Sequence, residues 1–181
     1  MKPKPIKQPE TQYEGKIFSI QTQKVEYEDG ETATYELCYR SPSVNVFAFN
    51  EEGQLLLIKE ERFRYSEPTW FLPAGKIEQD ETPEEAAQKE LQEEAGYKAN
   101  QLELYKKNED SSYFVWDVFF YLAKDLEQNS IEADKGEMVE EAKFFDLDQA
   151  AEMALEGEIK NEFLAYYVLK YYLLEQKGGE I

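Results

Sequence analysis

Apolar and polar positions alternate through "GKIFSIQTQKVEY" (15–27) and again through "ATYELCYR" (33–40), with Asp29-Gly30 between them. Period two marks strands, and Asp-Gly is a hairpin turn signal. Two more apolar runs, "SVNVFAFN" (43–50) and "QLLLIKEERF" (54–63), are separated only by "EEG", which predicts a second hairpin. "YSEPTWFLPAG" (65–75) is broken by Pro68 and Pro73 and reads as a loop or short strand. The pattern then changes. Thr82 is a candidate N-cap, Pro83 suits the first helical position, Glu85 completes a capping box, and Gly96 is a helix stop. A helix over 83–95 follows. Beyond it, "QLELYKKN" (101–108), "SSYFVWDVFFYLAKDL" (111–126) and "AKFFDL" (142–147) predict strands. "LDQAAEMALEG" (147–157) and "NEFLAYYVLKYYLLEQK" (161–177) predict helices, the second with a tyrosine-rich apolar face suited to packing.

Strands, helix, strands, then two helices describe a mixed α/β chain whose N-terminal part is mainly β. The division expected is a flexible tail at 1–12, with Pro3, Pro5 and Pro9, a β extension at 13–45, and a catalytic domain at 46–181.

Composition narrows the chemistry. The 181 residues carry a formal charge of −19, a basic footprint is absent, and long nucleic acids and anionic membranes are disfavoured as partners. A small anion remains compatible if a divalent cation or a few basic groups invert the local field. There is no histidine and a single cysteine, Cys38, so histidine bases, histidine zinc sites and an internal disulfide are excluded. No apolar run is long enough for a bilayer and no apolar signal core is seen; the cytoplasm is the expected location.

The densest chemistry is "KELQEEAG" (89–96), with Glu90, Glu93 and Glu94 in five residues. At about 100° per residue, Glu94 lies about 40° to one side of Glu90 and Glu93 about 60° to the other. The three acids share one arc, beside the stripe of Ala87, Leu91 and Ala95 that can pack on a sheet. Such crowding is unfavourable unless a cation is present, and hard oxygen donors suit Mg²⁺ or Mn²⁺. Taken alone, the helix favours a merely solvated acidic face.

The flanks decide between these. Gly75, Glu81, Glu90, Leu91, Glu93, Glu94, Gly96 and Tyr97 resemble, in residue type and spacing, the signature of the Nudix hydrolases, with Lys89 standing where the family has arginine. Lysine keeps the charge but not the planar fork that pins a carboxylate. The resemblance implies an α/β/α sandwich around a mixed sheet, and hydrolysis of a nucleoside diphosphate linked to another moiety. It further implies Glu90 and Glu94 as metal ligands, Glu94 also as catalytic, Glu93 as a further ligand, catalytic residue or support, the Ala74 carbonyl as an additional ligand, and Glu81 as structural. Gly75 would let the backbone pass close to the site.

The surroundings are similar to the ADP-ribose pyrophosphatase branch, whose N-terminal strands often build a homodimer. That likeness implies a further acid from a late loop; Glu137, Glu140 and Glu141 are available and Glu137 is favoured. Arg62 and Arg64 are the best local cations for a diphosphate, unless they are only surface charges. Phe63, Tyr65, Trp70 and Phe71 offer faces for base stacking, although each taken singly suits core packing. Two features depart from the branch: Phe71 replaces a glutamate before "LPAG", and "KKNEDSSYF" replaces a Pro-Gly loop. The expected substrate is therefore ADP-ribose or a related nucleotide sugar. An oxidised nucleoside triphosphate, a dinucleoside polyphosphate and a non-catalytic nucleotide sensor are the alternatives.

Overall fold

A computed structural model describes residues 2–110, 113–131 and 139–178. The chain begins with β1 (Lys4–Pro5), β2 (Glu10–Glu14), β3 (Phe18–Glu26) and β4 (Thr32–Arg40), followed by β5 (Ser43–Ala48), β6 (Leu55–Glu60), β7 (Thr69–Phe71) and β8 (Ala74–Lys76). Helix α1 (Pro83–Ala95) leads into β9 (Tyr97–Asp110), β10 (Phe114–Gln128) and β11 (Val139–Phe145), and then α2 (Leu147–Glu156) and α3 (Glu162–Gln176).

These strands form two sheets. The larger runs β1-β3-β4-β10-β5-β8, with β2 on β3 and β9 on β10; the smaller is β11-β6-β7. Strand β10 joins the halves. Its first residues pair in parallel with Cys38 and Tyr39 of β4, and Val118–Ala123 pair in parallel with β5. The N-terminal strands are thus continuous with the central sheet. The hairpin expected at Asp29-Gly30 is present, as β3 paired with β4 from Phe18↔Arg40 to Glu26↔Thr32. The proline-bearing start, expected as a tail, contributes β1 and β2, both antiparallel to β3.

The second expected hairpin does not form. β5 and β6 enter different sheets, and only the bridge Phe49↔Leu55 joins them near the turn. The cause lies in burial: every residue of β5 is buried, so it needs cover on both faces and partners on both edges. β10 and β8 take its edges. Val44, Val46 and Ala48 pack with Ala86, Ala87 and Leu91 of α1, while Phe47 packs with α2 and α3. The result is an α/β/α arrangement, with α1 on one side of the sheets and α2 and α3 on the other. The tyrosine-rich face of α3 is packing, as Tyr171 stacks on Phe47 at 5.2 Å and Tyr167 on Phe120 at 4.1 Å.

Helix α1 has the boundaries the sequence predicts. Thr82 Oγ1 accepts the Glu85 N–H, and the Glu85 carboxylate accepts both the Thr82 N–H and its hydroxyl. Gly96 ends the helix in the left-handed region at φ 76°, which a side chain would disfavour. The side-chain and then the backbone hydrogen bonds from Thr82 hold the Glu85 carboxyl below the ordinary glutamate range. A depressed carboxyl contributes stability above its unfolded pKa and loses it as pH falls through the folded one. Loss of the N-cap in Thr82→Ala is expected to lower stability by about 1 kcal/mol at neutral pH. The gap should narrow as pH drops below the ordinary glutamate range. Denaturant melts across pH check both statements.

Candidate active site

The acid arc of α1 meets the sheet at β8. Glu94 Oε2 accepts the Ala74 N–H at 2.7 Å. Glu90 approaches so closely that a Cβ built on Gly75 would fall 1.7 Å from its Oε1. Gly75 is thus required by space: the carboxylate of Glu90 occupies the volume of a side chain. Glu90 and Glu94 are 6 % and 7 % exposed, which is unusual for carboxylates and places both at the helix–sheet contact rather than in open solvent.

Glu93 takes a different direction. Its side chain is 4 % exposed and its Oε2 lies 3.5 Å from Lys89 Nζ. The same oxygen is buried without a hydrogen bond among the described residues. A lysine placed four residues before a glutamate is the weaker orientation of a helical ion pair. Lys89 therefore reaches the arc, but as a single point of charge where the family's arginine would offer a fork.

The donor chemistry suits a hard divalent cation: buried carboxylates, one with an oxygen lacking a hydrogen bond, beside the exposed edge of a short strand. The donors are present but not gathered. Among the described residues no group of three or more acidic or cysteine side chains already converges on one point. Glu81 stands apart from the arc and accepts the Glu78 N–H at 3.2 Å, bracing the loop that leads into the helix.

On the other side of β8 lies a cleft of about 140 Å³, bordered by Ala74, Gly75 and Lys76 and by the side chains of Arg40, Arg62, Phe71 and Trp116. Arg62 is held at both ends. Its Nη2 and Nε both contact Glu60 Oε2, at 2.7 and 2.8 Å, and its guanidinium carbon stands 4.1 Å from the centre of the Phe71 ring. Arg64, the other expected cation, is exposed and does not line this cleft. Phe63 is fully exposed; Trp70 packs edge-on against Phe145 at 4.8 Å, and Tyr65 lies 6.2 Å from Phe71. Two larger hollows, about 650 and 470 Å³, open beside the outer face of α1 and near Phe49 and Tyr171, away from Ala74 and Gly75.

Of the late acids, Glu137 lies outside the described residues. Glu140 and Glu141 belong to β11, which starts earlier than the predicted 142, and both are exposed. Val139 pairs with Glu60 and Glu141 with Lys59, so Glu140 is the extra residue of a bulge, next to the strand end that carries the Arg62–Glu60 pair. Sequence patterning missed Arg40 and Trp116. Arg40 lies 35 residues before Gly75, where the signature begins, and belongs to no motif; it ends β4, a strand whose residues alternate between apolar and polar.

The chain belongs to the Nudix family: the NUDIX domain matches residues 39–167. It is a Nudix hydrolase with ADP-ribose pyrophosphatases among its relatives. An ADP-ribose pyrophosphatase of Bacillus subtilis (strain 168) is 29 % identical over 159 residues, covering 86 % of this chain and 85 % of its own length. One from Mycobacterium tuberculosis is 29 % identical over 163 residues, covering 88 % and 79 %. A solved ADP compounds hydrolase superposes with a TM-score of 0.80 over 99 % of this chain and 98 % of its own, at 24 % identity, a likeness of fold.

The Gly75–Glu90 contact is open to direct test. The clash with an added methyl falls on the tip of a flexible side chain, so Glu90 gives way rather than β8. Gly75→Ala is expected to displace Glu90 and lower stability by about 1–2 kcal/mol, read in denaturant melts. In a Glu90→Ala background the same substitution should be close to neutral, as a double-mutant cycle would report.

Proposed function

We propose that the protein hydrolyses the pyrophosphate bond of a nucleoside diphosphate derivative, ADP-ribose or a related nucleotide sugar, to a nucleoside monophosphate and a sugar phosphate, using Mg²⁺ or Mn²⁺. The observation that carries this reading is the pair of buried carboxylates, Glu90 and Glu94, against the Ala74–Gly75 backbone, with an arginine-lined cleft on the far side of the same three-residue strand. Acids and cations separated by a single edge strand suit a substrate that is itself a linked pair of phosphates. The likeness to two ADP-ribose pyrophosphatases, over 86 % and 88 % of this chain, supports the choice of substrate.

In this reading Glu90 and Glu94 would hold the metal with the Ala74 carbonyl, and Glu93 would join them. When bound, the ion neutralises the diphosphate and lowers the pKa of an attacking water. The residues themselves do the rest. Glu94 fixes the height of Ala74 by its hydrogen bond, and the bare Cα of Gly75 leaves Glu90 its place. Arg62, oriented by Glu60 and Phe71, holds phosphate oxygens through its fork. A carboxylate, Glu93 or Glu137, takes the water's proton as the new P–O bond forms and the bridging P–O bond breaks. Arg64 remains available to the substrate only from the exposed side.

The same reading places the protein in the cytoplasm as a homodimer; no helix among the described residues is long and apolar enough to cross a membrane. The N-terminal strands leave Tyr13, Ile17 and Phe18 exposed, which favours pairing through that part of the chain. A monomeric mass by sedimentation at micromolar concentration would remove the dimer.

A hydrolysis panel tests the activity. With Mg²⁺ or Mn²⁺, ADP-ribose is expected to yield AMP and ribose phosphate, and Glu94→Gln to abolish the reaction. Chelation of the metal should do the same reversibly. Turnover of an oxidised nucleoside triphosphate alone would refute the substrate, and no turnover of ADP-ribose, other nucleotide sugars, dinucleoside polyphosphates or oxidised dGTP would refute the enzyme reading.

A further inference from the structure

Helix α1 meets the rest of the chain on three sides. Its acids face β8, and its stripe of Ala86, Ala87 and Leu91 packs with Val44 and Val46 of β5. The third side carries Gln88, about 160° round the helix from Glu90. In the orientation that lets its amide nitrogen donate and its oxygen accept, Gln88 bonds both backbone groups of one residue. It donates to the Ala99 carbonyl at 3.0 Å and accepts the Ala99 N–H at 3.2 Å. Ala99 is buried and lies in β9, opposite Leu126 of β10, the one strand that pairs with β9 among the described residues. The glutamine thus stands where a further strand would, and satisfies two buried backbone groups. One turn on, Gln92 Nε2 donates to Asn129 Oδ1 at 2.9 Å, and the Asn129 N–H donates to the Gly96 carbonyl at 2.9 Å.

These contacts divide the work of placing the acids. The stripe sets the rotation of α1. Two of its three buried apolar side chains are alanines, which offer little shape to resist sliding along the axis. Burial of Glu90 and Glu94 works against the contact, because both carboxylates gain hydration if the helix lifts off β8. Yet the contact tolerates little movement. Glu94 must reach the Ala74 N–H at 2.7 Å, and the Glu90 carboxylate fills the volume beside Gly75. A paired bond to a single backbone residue fixes height: a slide by one residue's rise, about 1.5 Å, breaks both of its members.

We propose that Gln88 is a positioning residue: its paired bonds to Ala99 hold α1 at the height where Glu90 and Glu94 meet Ala74 and Gly75. The hold comes from behind the helix, through a side chain on the face opposite the acids. That these acids take a divalent cation rests on the reading above; their placement against β8 does not.

Gln88→Met nearly keeps the length and volume of the side chain and removes both bonds. Amide exchange of the metal-free protein is followed residue by residue by NMR. The Ala74 N–H donates to Glu94, so its exchange reports the position of the acids; the Phe49 N–H, which donates to Ala123 at 2.9 Å, reports global opening. In the variant, Ala74 exchange is expected to accelerate about tenfold beyond the change at Phe49, the scale of two lost hydrogen bonds. Mn²⁺, titrated alone and read by its paramagnetic resonance, should bind about fivefold or more weakly. Val168→Ala, a core truncation in α3, is the control for lost stability. It should move Ala74 and Phe49 together and leave the Mn²⁺ constant within about twofold. If Gln88 serves stability alone, Gln88→Met behaves as this control does, and that result overturns the proposal. An unchanged Mn²⁺ constant in the variant of a parent that binds the ion overturns it as well. Gln88→Leu decides if the methionine variant does not fold. A parent that binds no Mn²⁺ removes the metal reading and leaves Ala74 exchange to decide on Gln88, whereas Mn²⁺ binding with unshifted Ala74 exchange removes only Gln88.

Discussion

The contact between α1 and β8 is the constraint on which the site depends. Two carboxylates are buried where the helix meets the sheet, one receiving a backbone N–H and the other filling the space beside a glycine. Buried carboxylates are normally expensive. They are tolerable here because β8 is only three residues long and lies at the end of its sheet path, so its backbone can serve side chains instead of another strand. The capping box, the apolar stripe on β5 and the stop at Gly96 all act to set this one contact. The box fixes where the helix starts, the stripe fixes its rotation, and the glycine turns the chain at once into β9.

The second half of the site follows from β5 entering the larger sheet rather than pairing with β6. With β5 between β10 and β8, its Ser43 and Asn45 side chains point to the α3 side, where Trp116 of β10 and Arg40 of β4 also emerge. β6 and β7, held in the smaller sheet, bring Glu60, Arg62 and Phe71 across from the opposite wall. The cleft is therefore a seam between two sheets. Had the expected 43–63 hairpin formed, both walls would have belonged to one surface and no seam would exist.

The limits of sequence legibility follow the same division. Helix α1, its caps and its acid arc depend on neighbours within a few residues, and spacing alone located them. The Gly75–Glu90 approach was legible as a spacing but not as a distance. The partners of β5 were not legible, because a buried apolar strand looks the same whether its neighbour is next in sequence or 75 residues on. Arg62 was found because it precedes the signature closely; Arg40 was missed because its relation to Trp116 exists only after β4 and β10 align in parallel. Glu140 illustrates a finer loss. Its place in a bulge is a property of register, which alternation of residue types does not encode.

The charge of −19 acquires a definite meaning against this architecture. A surplus of acid would repel a diphosphate from most of the surface, and long-range steering by the whole protein works against binding. Recognition must then be local, and local fields are strongest where water is excluded. Arg62 and Arg40 satisfy that condition in different ways. Arg62 is partly neutralised by Glu60 and is oriented by it, whereas Arg40 is half-buried against an indole and has no carboxylate among the described residues. A paired arginine supplies direction; one without a carboxylate supplies net positive charge. Of the two, only Arg40 lacks a carboxylate among the described residues, and it reaches the cleft from β4 rather than from the signature helix.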